Sequence, residues 1–169
     1  MRRLDITALS STYAVRPLTP EDADAILALA AGNELFYRYH PPLPDRESIL
    51  SDMTTLPPGK GPEDKYFLGF FREERLITVM DLILGYPEEG VAWIGWLILS
   101  PVCQGRGVGS GILRDVEAAL RAAGFRESRL AVDKGNPQSW AFWTKNGYAR
   151  YGPEKPNGTS AYLPMKKTL

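Results

Sequence analysis

Hydrophobic and polar positions recur with two different periods along this chain, and the switches between them divide it into elements. Residues 91–99, Val-Ala-Trp-Ile-Gly-Trp-Leu-Ile-Leu, are apolar on both alternating faces, which predicts a central strand covered on each side. Residues 66–72 and 76–84 also read as strands. Their connections, Glu73-Glu74 and Gly85-Tyr-Pro-Glu-Glu-Gly90, are tight enough that the three strands form an antiparallel meander. Over 108–123 the period becomes helical: Val108, Ile112, Leu113, Val116, Ala119 and Leu120 share a face, and Gly124 stands where a C-terminal cap belongs. Further strands are predicted at 12–18, 128–133 and 159–166. Further helices are predicted from Thr19-Pro20 to about Ala31, over 45–55 and over 139–146. Residues 33–44 hold Phe36, Tyr37, Tyr39, His40 and three prolines, which predicts an irregular aromatic loop suited to a substrate wall. The expected fold is α/β (α+β), a mixed, mostly antiparallel sheet flanked by helices, in one domain over residues 1–169.

Composition narrows the function classes. Lys plus Arg and Asp plus Glu both number 20, so no global field favours nucleic acid or an anionic membrane, and neither is expected as a partner. With a single Cys103 and one histidine, neither a disulfide framework nor a Cys/His zinc site can be built, and no metal is expected. No run approaches the ~20 apolar residues of a membrane span. These features predict a cytoplasmic monomer or homodimer.

Chemistry concentrates at Gln104-Gly-Arg-Gly-Val-Gly-Ser110, between the central strand and the helix. Free N–H groups and the positive helix end converge on an anion there, and glycine lets a phosphate approach closely. Arg106 adds a positive charge. A Walker loop would need Gly-Lys-Ser/Thr at its end, which is missing. A dinucleotide-binding loop is nearer in spacing, with Gly105, Gly107 and Ser110 followed by Asp133 at the end of the next strand, although the preceding meander is not a βαβ unit.

Gln104-x-x-Gly107-x-Gly109 resembles the Gln/Arg-x-x-Gly-x-Gly/Ala signature of the GNAT acetyltransferases. Downstream, Asn136-Pro-Gln-Ser139-Trp-Ala-Phe-Trp143-Thr-Lys-Asn-Gly147-Tyr148 resembles that family's second signature. With the order of elements, the resemblance extends from about residue 13 to the C-terminus. It implies two parallel strands, 91–99 and 128–133, that splay to admit acetyl-CoA. Backbone groups of Leu97, Ile98 and Leu99 would pair with the pantetheine arm, and an N–H near Ile98 would polarise the thioester. Gln104, Gly105, Arg106, Gly107, Val108, Gly109 and Ser110 would hold the pyrophosphate. Asn136, Ser139 and Trp143 would approach the coenzyme from the opposite side.

The implied reaction is direct acetyl transfer to the amine of a small molecule or peptide. Where many members carry a tyrosine acid, this chain has Trp143, so Tyr148 is the alternative proton donor or none is needed. The central strand also lacks a glutamate base. Asp81, the one ionisable residue of 76–84, is the candidate base, with a pKa raised by burial if it has no partner. Tyr37, Tyr39, His40 and Tyr162 are the candidate substrate contacts, Trp93 and Trp96 are expected in the core, and Arg126, Arg129 and Lys134 are possible contacts for the adenosine phosphate. A coenzyme A-binding sensor without turnover and a nicotinamide-binding oxidoreductase are the alternative functions.

Overall fold

A computed structural model describes residues 3–169. A meander of β1 (Ala14–Pro17), β2 (Lys65–Arg72), β3 (Arg75–Leu84) and β4 (Val91–Leu99) forms one side of the sheet. The other side is β5 (Glu127–Asp133) and β8 (Ser160–Thr168), with the short β6 (Ala149–Arg150) and β7 (Lys155–Asn157) paired to β8. All neighbouring strands run antiparallel except β4 and β5, which are parallel. The mixed, mostly antiparallel α/β sheet expected from the sequence is therefore present.

Helices α1 (Ala23–Ala31), α2 (Glu34–Tyr39) and α3 (Arg46–Asp52) precede β2, α4 (Val108–Ala122) joins β4 to β5, and α5 (Pro137–Lys145) follows β5. Apolar alternation divides the core between the two faces. Leu68, Phe70, Met80 and Leu82 pack with Ile112, Leu113, Val116 and Leu120 of α4. Phe67, Phe71 and Val79 pack with Ile26 and Leu29 of α1 and Ile49 of α3. Burial of this kind contributes about 25 cal/mol per Å² of apolar surface, so covering both faces is what holds the central strands in place.

The register of β4 against β3 slips at one point: Asp81 faces Trp96 while the next residue, Leu82, faces Ile94. Gly95 is the extra residue of a β-bulge. An inserted residue reverses the alternation of side chains. Ala92 and Ile94 face α4 before the bulge, and after it Leu97 and Leu99 face that side while Ile98 turns to α1.

The expected irregular stretch 33–44 is corrected in part, because α2 occupies Glu34–Tyr39. Its prolines begin only at Pro41, past the helix end, so they limit α2 without preventing it. Asn33 anchors its start by donating from Nδ2 to the carbonyls of Leu29 (2.9 Å) and Leu99 (3.1 Å).

Candidate active site

Parallel pairing of β4 and β5 covers only Val91, Ala92 and Trp93 against Glu127, Ser128 and Arg129. Beyond the bulge the strands diverge, and their edges open a gap containing two cavities. One, of about 320 Å³, lies on the α4 side; the other, of about 230 Å³, lies between the diverging strands. Phe36, Leu97, Ser139 and Trp143 line both, so the cavities meet at that wall.

The larger cavity gathers most of the expected cofactor residues: Leu97, Ile98, Leu99, Gln104, Gly105, Gly107, Val108, Gly109, Ser110, Ser139 and Trp143. Gly105 (φ 71°) and Gly107 (φ 77°) are left-handed, and a Cβ built on either would meet nothing within 4 Å, so the loop is an open cradle. The first helical hydrogen bond runs from Gly111 N–H to Gly107 C=O at 3.0 Å. The N–H groups from Gly105 to Ser110 are consequently available for an anion, at the positive end of a 15-residue helix. Gln104 donates from Nε2 to Asn33 Oδ1 (2.8 Å) and to the Leu99 carbonyl (2.9 Å), and accepts from Gln138 Nε2 (3.1 Å). It thereby ties the loop to both walls and occupies one acceptor of the strand expected to pair with pantetheine.

Thr78, Asn33, Gln138, Phe142 and Lys145 complete this cavity and were not apparent from the sequence. Thr78 is 1% exposed and its Oγ1 has no hydrogen-bond partner. A buried hydroxyl without a partner is costly, and one lining a cavity suits a polar ligand. An anion cradle, a free strand edge, an unpaired hydroxyl and a narrow apolar junction fit coenzyme A: phosphates at the loop, the pantetheine arm along β4, and the thioester it supplies at the junction.

The smaller cavity is lined by Trp93 and Trp96, both half-buried; the expectation that they fill core is corrected in part, because Trp96 still packs against the α1-side core beside Phe67 while Trp93 stands on the last rung of the β4–β5 ladder, where the gap opens. His40 and Tyr162 line it too, with ring centroids 6.3 Å apart. His40 Nδ1 lies 3.0 and 3.1 Å from the carboxylate oxygens of Asp133, at the end of β5. That hydrogen bond, opposed by burial and aided by the charges of Asp133 and Asp52, raises the His40 pKa above the ordinary value. Tyr37 and Tyr39 flank the cavity without lining it: Tyr37 packs edge-on to Phe36 and His40, and Tyr39 lies against Gly135.

Other expected residues stand elsewhere. Arg106 faces an adjoining groove with Ser11, Tyr13 and Arg114, which shares Gly107 and Val108 with the larger cavity. Asn136 is buried as the N-cap of α5, its Oδ1 accepting from Gln138 and Ser139 N–H at 3.1 Å, so it holds the helix start in place. Tyr148 is 2% exposed, with its hydroxyl 2.9 Å from Ser128 Oγ and 3.1 Å from Glu117 Oε1. Burial raises its pKa strongly and it lines neither cavity, which leaves it no route to a thiolate. Asp81, expected without a partner, accepts from Lys65 Nζ through both oxygens at 2.9 and 3.0 Å. Burial still outweighs this pair and raises its pKa. Lys65 sits diagonally across the β2–β3 ladder, a neighbour that only the register reveals. Arg129 pairs with Glu88 and Glu127, and Arg126 reaches the Glu89 carbonyl. Both lie where β4 begins, at the opposite end of the sheet from the glycine loop, and Lys134 pairs with Glu154.

An α/β sheet opened between two parallel strands, with an anion cradle at one end of the opening, defines the class as an acyl-transferring enzyme. The chain belongs to the acetyltransferase (GNAT) family, whose profile matches residues 29–148; it is an acetyltransferase of a family whose acyl donor is acetyl-CoA. An acetyltransferase from Thermus thermophilus is 25% identical, with a TM-score of 0.75 over 94% of this chain and 97% of that one. The PaiA N-acetyltransferase from Thermoplasma acidophilum, solved in complex with coenzyme A, is 21% identical, with a TM-score of 0.68 over 93% and 99%. The ribosomal-protein-S18-alanine N-acetyltransferase from Escherichia coli is 14% identical, with a TM-score of 0.67 over 92% and 93%. Among the described residues no helix is long and apolar enough to cross a membrane, and no cluster of His, Cys, Asp and Glu could hold a metal ion.

Proposed function

We propose that this protein moves the acetyl group of acetyl-CoA directly to an amine of a small molecule or peptide, both substrates being bound together. The observation that carries this reading is the pair of cavities sharing the wall of Phe36, Leu97, Ser139 and Trp143. The donor fills the larger cavity, its phosphates on the N–H groups between Gly105 and Ser110 and its thioester at the shared wall. The acceptor enters the smaller one. Holding the reacting atoms in adjoining sites replaces a bimolecular encounter with a positioned one. The N–H groups of β4 near Ile98 polarise the carbonyl under attack.

The acceptor end suits a cation. Asp133 lines the smaller cavity, and Asp52 acts on His40 close by. Asp81 lies behind Gly95, its Oδ2 3.0 Å from where a Cβ on that glycine would stand. Lys65 offsets part of this negative charge. Aromatic rings of Phe36, Trp93, Trp96 and Tyr162 surround the space, and such faces attract ammonium groups.

Calorimetric titration with acetyl-CoA, NAD and ATP, followed by thiol release in the presence of a panel of amines, tests the proposal. Selective acetyl-CoA binding with amine-dependent thiol release is the expected result. Binding without release from any amine would identify a coenzyme A sensor, and preference for NAD would return the dinucleotide reading.

A further inference from the structure

His40 is the chain's single histidine, and it lies 93 residues from the acid that holds it. Asp133 is 8% exposed at its side chain while His40 is 41% exposed, so the acid is buried behind the ring and the ring faces the cavity. A carboxylate only accepts hydrogen bonds. Neutral His40 must therefore carry its proton on Nδ1, directed at Asp133, leaving the Nε2 lone pair as the free basic position. The ring stands 5.3 Å from Phe36, centroid to centroid, and Phe36 is part of the wall between the two cavities. The imidazole thus lines the acceptor cavity one ring away from the wall where donor and acceptor meet, and Nε2 makes no hydrogen bond among the described residues.

Resting on the transferase reading above, we propose that His40 is the general base that deprotonates the acceptor amine, and that Asp133 is the positioning residue fixing its tautomer. One proton of the incoming ammonium passes to Nε2. The neutral nitrogen attacks the thioester carbonyl, the C–N bond forms and the C–S bond breaks. A second proton goes from nitrogen to the departing thiolate, the third stays on the amide, and His40 releases its proton to solvent. No oxidant or further reactant is required. The base that the central strand lacks is supplied from the end of α2. Asp81 is less well placed for this role, because it lines neither cavity and its carboxylate is engaged by Lys65.

The groups facing His40 are Asp133 from β5, Asp52 from α3, Tyr162 from β8 and Tyr37 from the helix that His40 caps. The hydrogen bond to Asp133 and the nearby acids favour the charged ring, so its midpoint lies above the ordinary histidine value.

The test combines NMR titration of the lone imidazole with pH profiles of kcat/KM. Wild type, His40→Gln and Asp133→Asn are compared, using acetyl-CoA and the probe amines 1,4-diaminobutane, lysine, tyramine and an alanyl peptide. In wild type the imidazole should be protonated on Nδ1 when neutral and titrate above the usual range, and Asp133→Asn should lower its midpoint. His40→Gln should cut kcat/KM at neutral pH by about 100-fold or more, move the rising limb toward the amine's own pKa, and leave acetyl-CoA affinity within about twofold by calorimetry. Asp133→Asn should lose at least about tenfold with the limb displaced to lower pH. Unchanged kcat/KM and limb in His40→Gln would overturn the dyad while the transferase reading stands. So would an imidazole titrating at or below the usual value. A wild type that binds acetyl-CoA but acetylates none of the probes would overturn the transferase reading and the dyad with it.

Discussion

A side chain's chemistry is set by what lies within about 3 Å of it, and the acids around the acceptor cavity differ on that account alone. Asp81 is neutralised locally by Lys65, whereas Asp133 holds a half-buried imidazole whose other nitrogen makes no hydrogen bond among the described residues. The same pairing links pH to stability. His40 has a folded-state pKa above its unfolded value, so the folded state binds the proton more tightly. Its contribution is fully present below the unfolded value and is lost as pH rises through the folded one. Thermal melts of wild type and His40→Gln should therefore differ most below the unfolded histidine value and converge as pH rises through the folded one; a gap that stays constant with pH would show that the pair does not form in solution.

At the scale of elements, α4 carries both the binding loop and a buried polar lock. Its N-terminus is where the cradle is made, and Gly107 is its left-handed entry residue. Asn and Asp tolerate that conformation better than other non-glycine residues, so Gly107→Asn and Gly107→Asp carry similar backbone cost and differ in charge. Calorimetry should find acetyl-CoA roughly tenfold weaker for Asp than for Asn, because the added negative charge opposes the phosphates at a helix N-terminus. Further along, Glu117 is buried on the apolar face, paired with Lys167 of β8 at 2.6 Å and close to the Tyr148 hydroxyl. Lys167→Met leaves that carboxylate buried without its cation, and urea unfolding should show a loss of about 3 kcal/mol. Adding Glu117→Gln should recover part of it.

The same helix shows what was legible in advance. Its period and its glycines are local properties, so its limits and the cradle could be read from spacing. Glu117, one turn from Leu113 and Leu120, belongs to a buried pair that the helical period does not announce, because its partner Lys167 lies 50 residues away. What escaped depends on register and on long-range contact: the bulge at Gly95, Lys65 beside Asp81, and Asp133 behind His40. No short window of sequence contains both members of such pairs. That Trp93 and Trp96 also line a cavity was not legible, because an apolar strand looks the same whether the strand beside it stays alongside or diverges.

For the whole molecule, the sheet is two halves joined at β4 and β5 by the short parallel ladder of Val91–Trp93 with Glu127–Arg129, by α4, and by the amide chain from Asn33 through Gln104 to Gln138. Beyond the ladder, no strand among the described residues fills the gap. A donor bound along β4, under Ser139 and Trp143, would act as the missing brace, contacting one half through Leu97 and Ile98 and the other through α5. Binding to the folded state alone stabilises it by about 2.7 kcal/mol at a ligand concentration 100 times Kd. For a chain of this size that corresponds to a rise in Tm of roughly 5–10 °C. NAD at the same concentration should give a much smaller shift, since it has no extended pantetheine arm to lie along the open edge of β4. Hydrogen exchange should locate the brace: acetyl-CoA should slow amides in the second half of β4, at the start of α4 and in α5, and leave β1 and β2 unchanged. Uniform protection across the sheet would mean instead that the ligand only shifts global unfolding, and that the two halves are already held together without it.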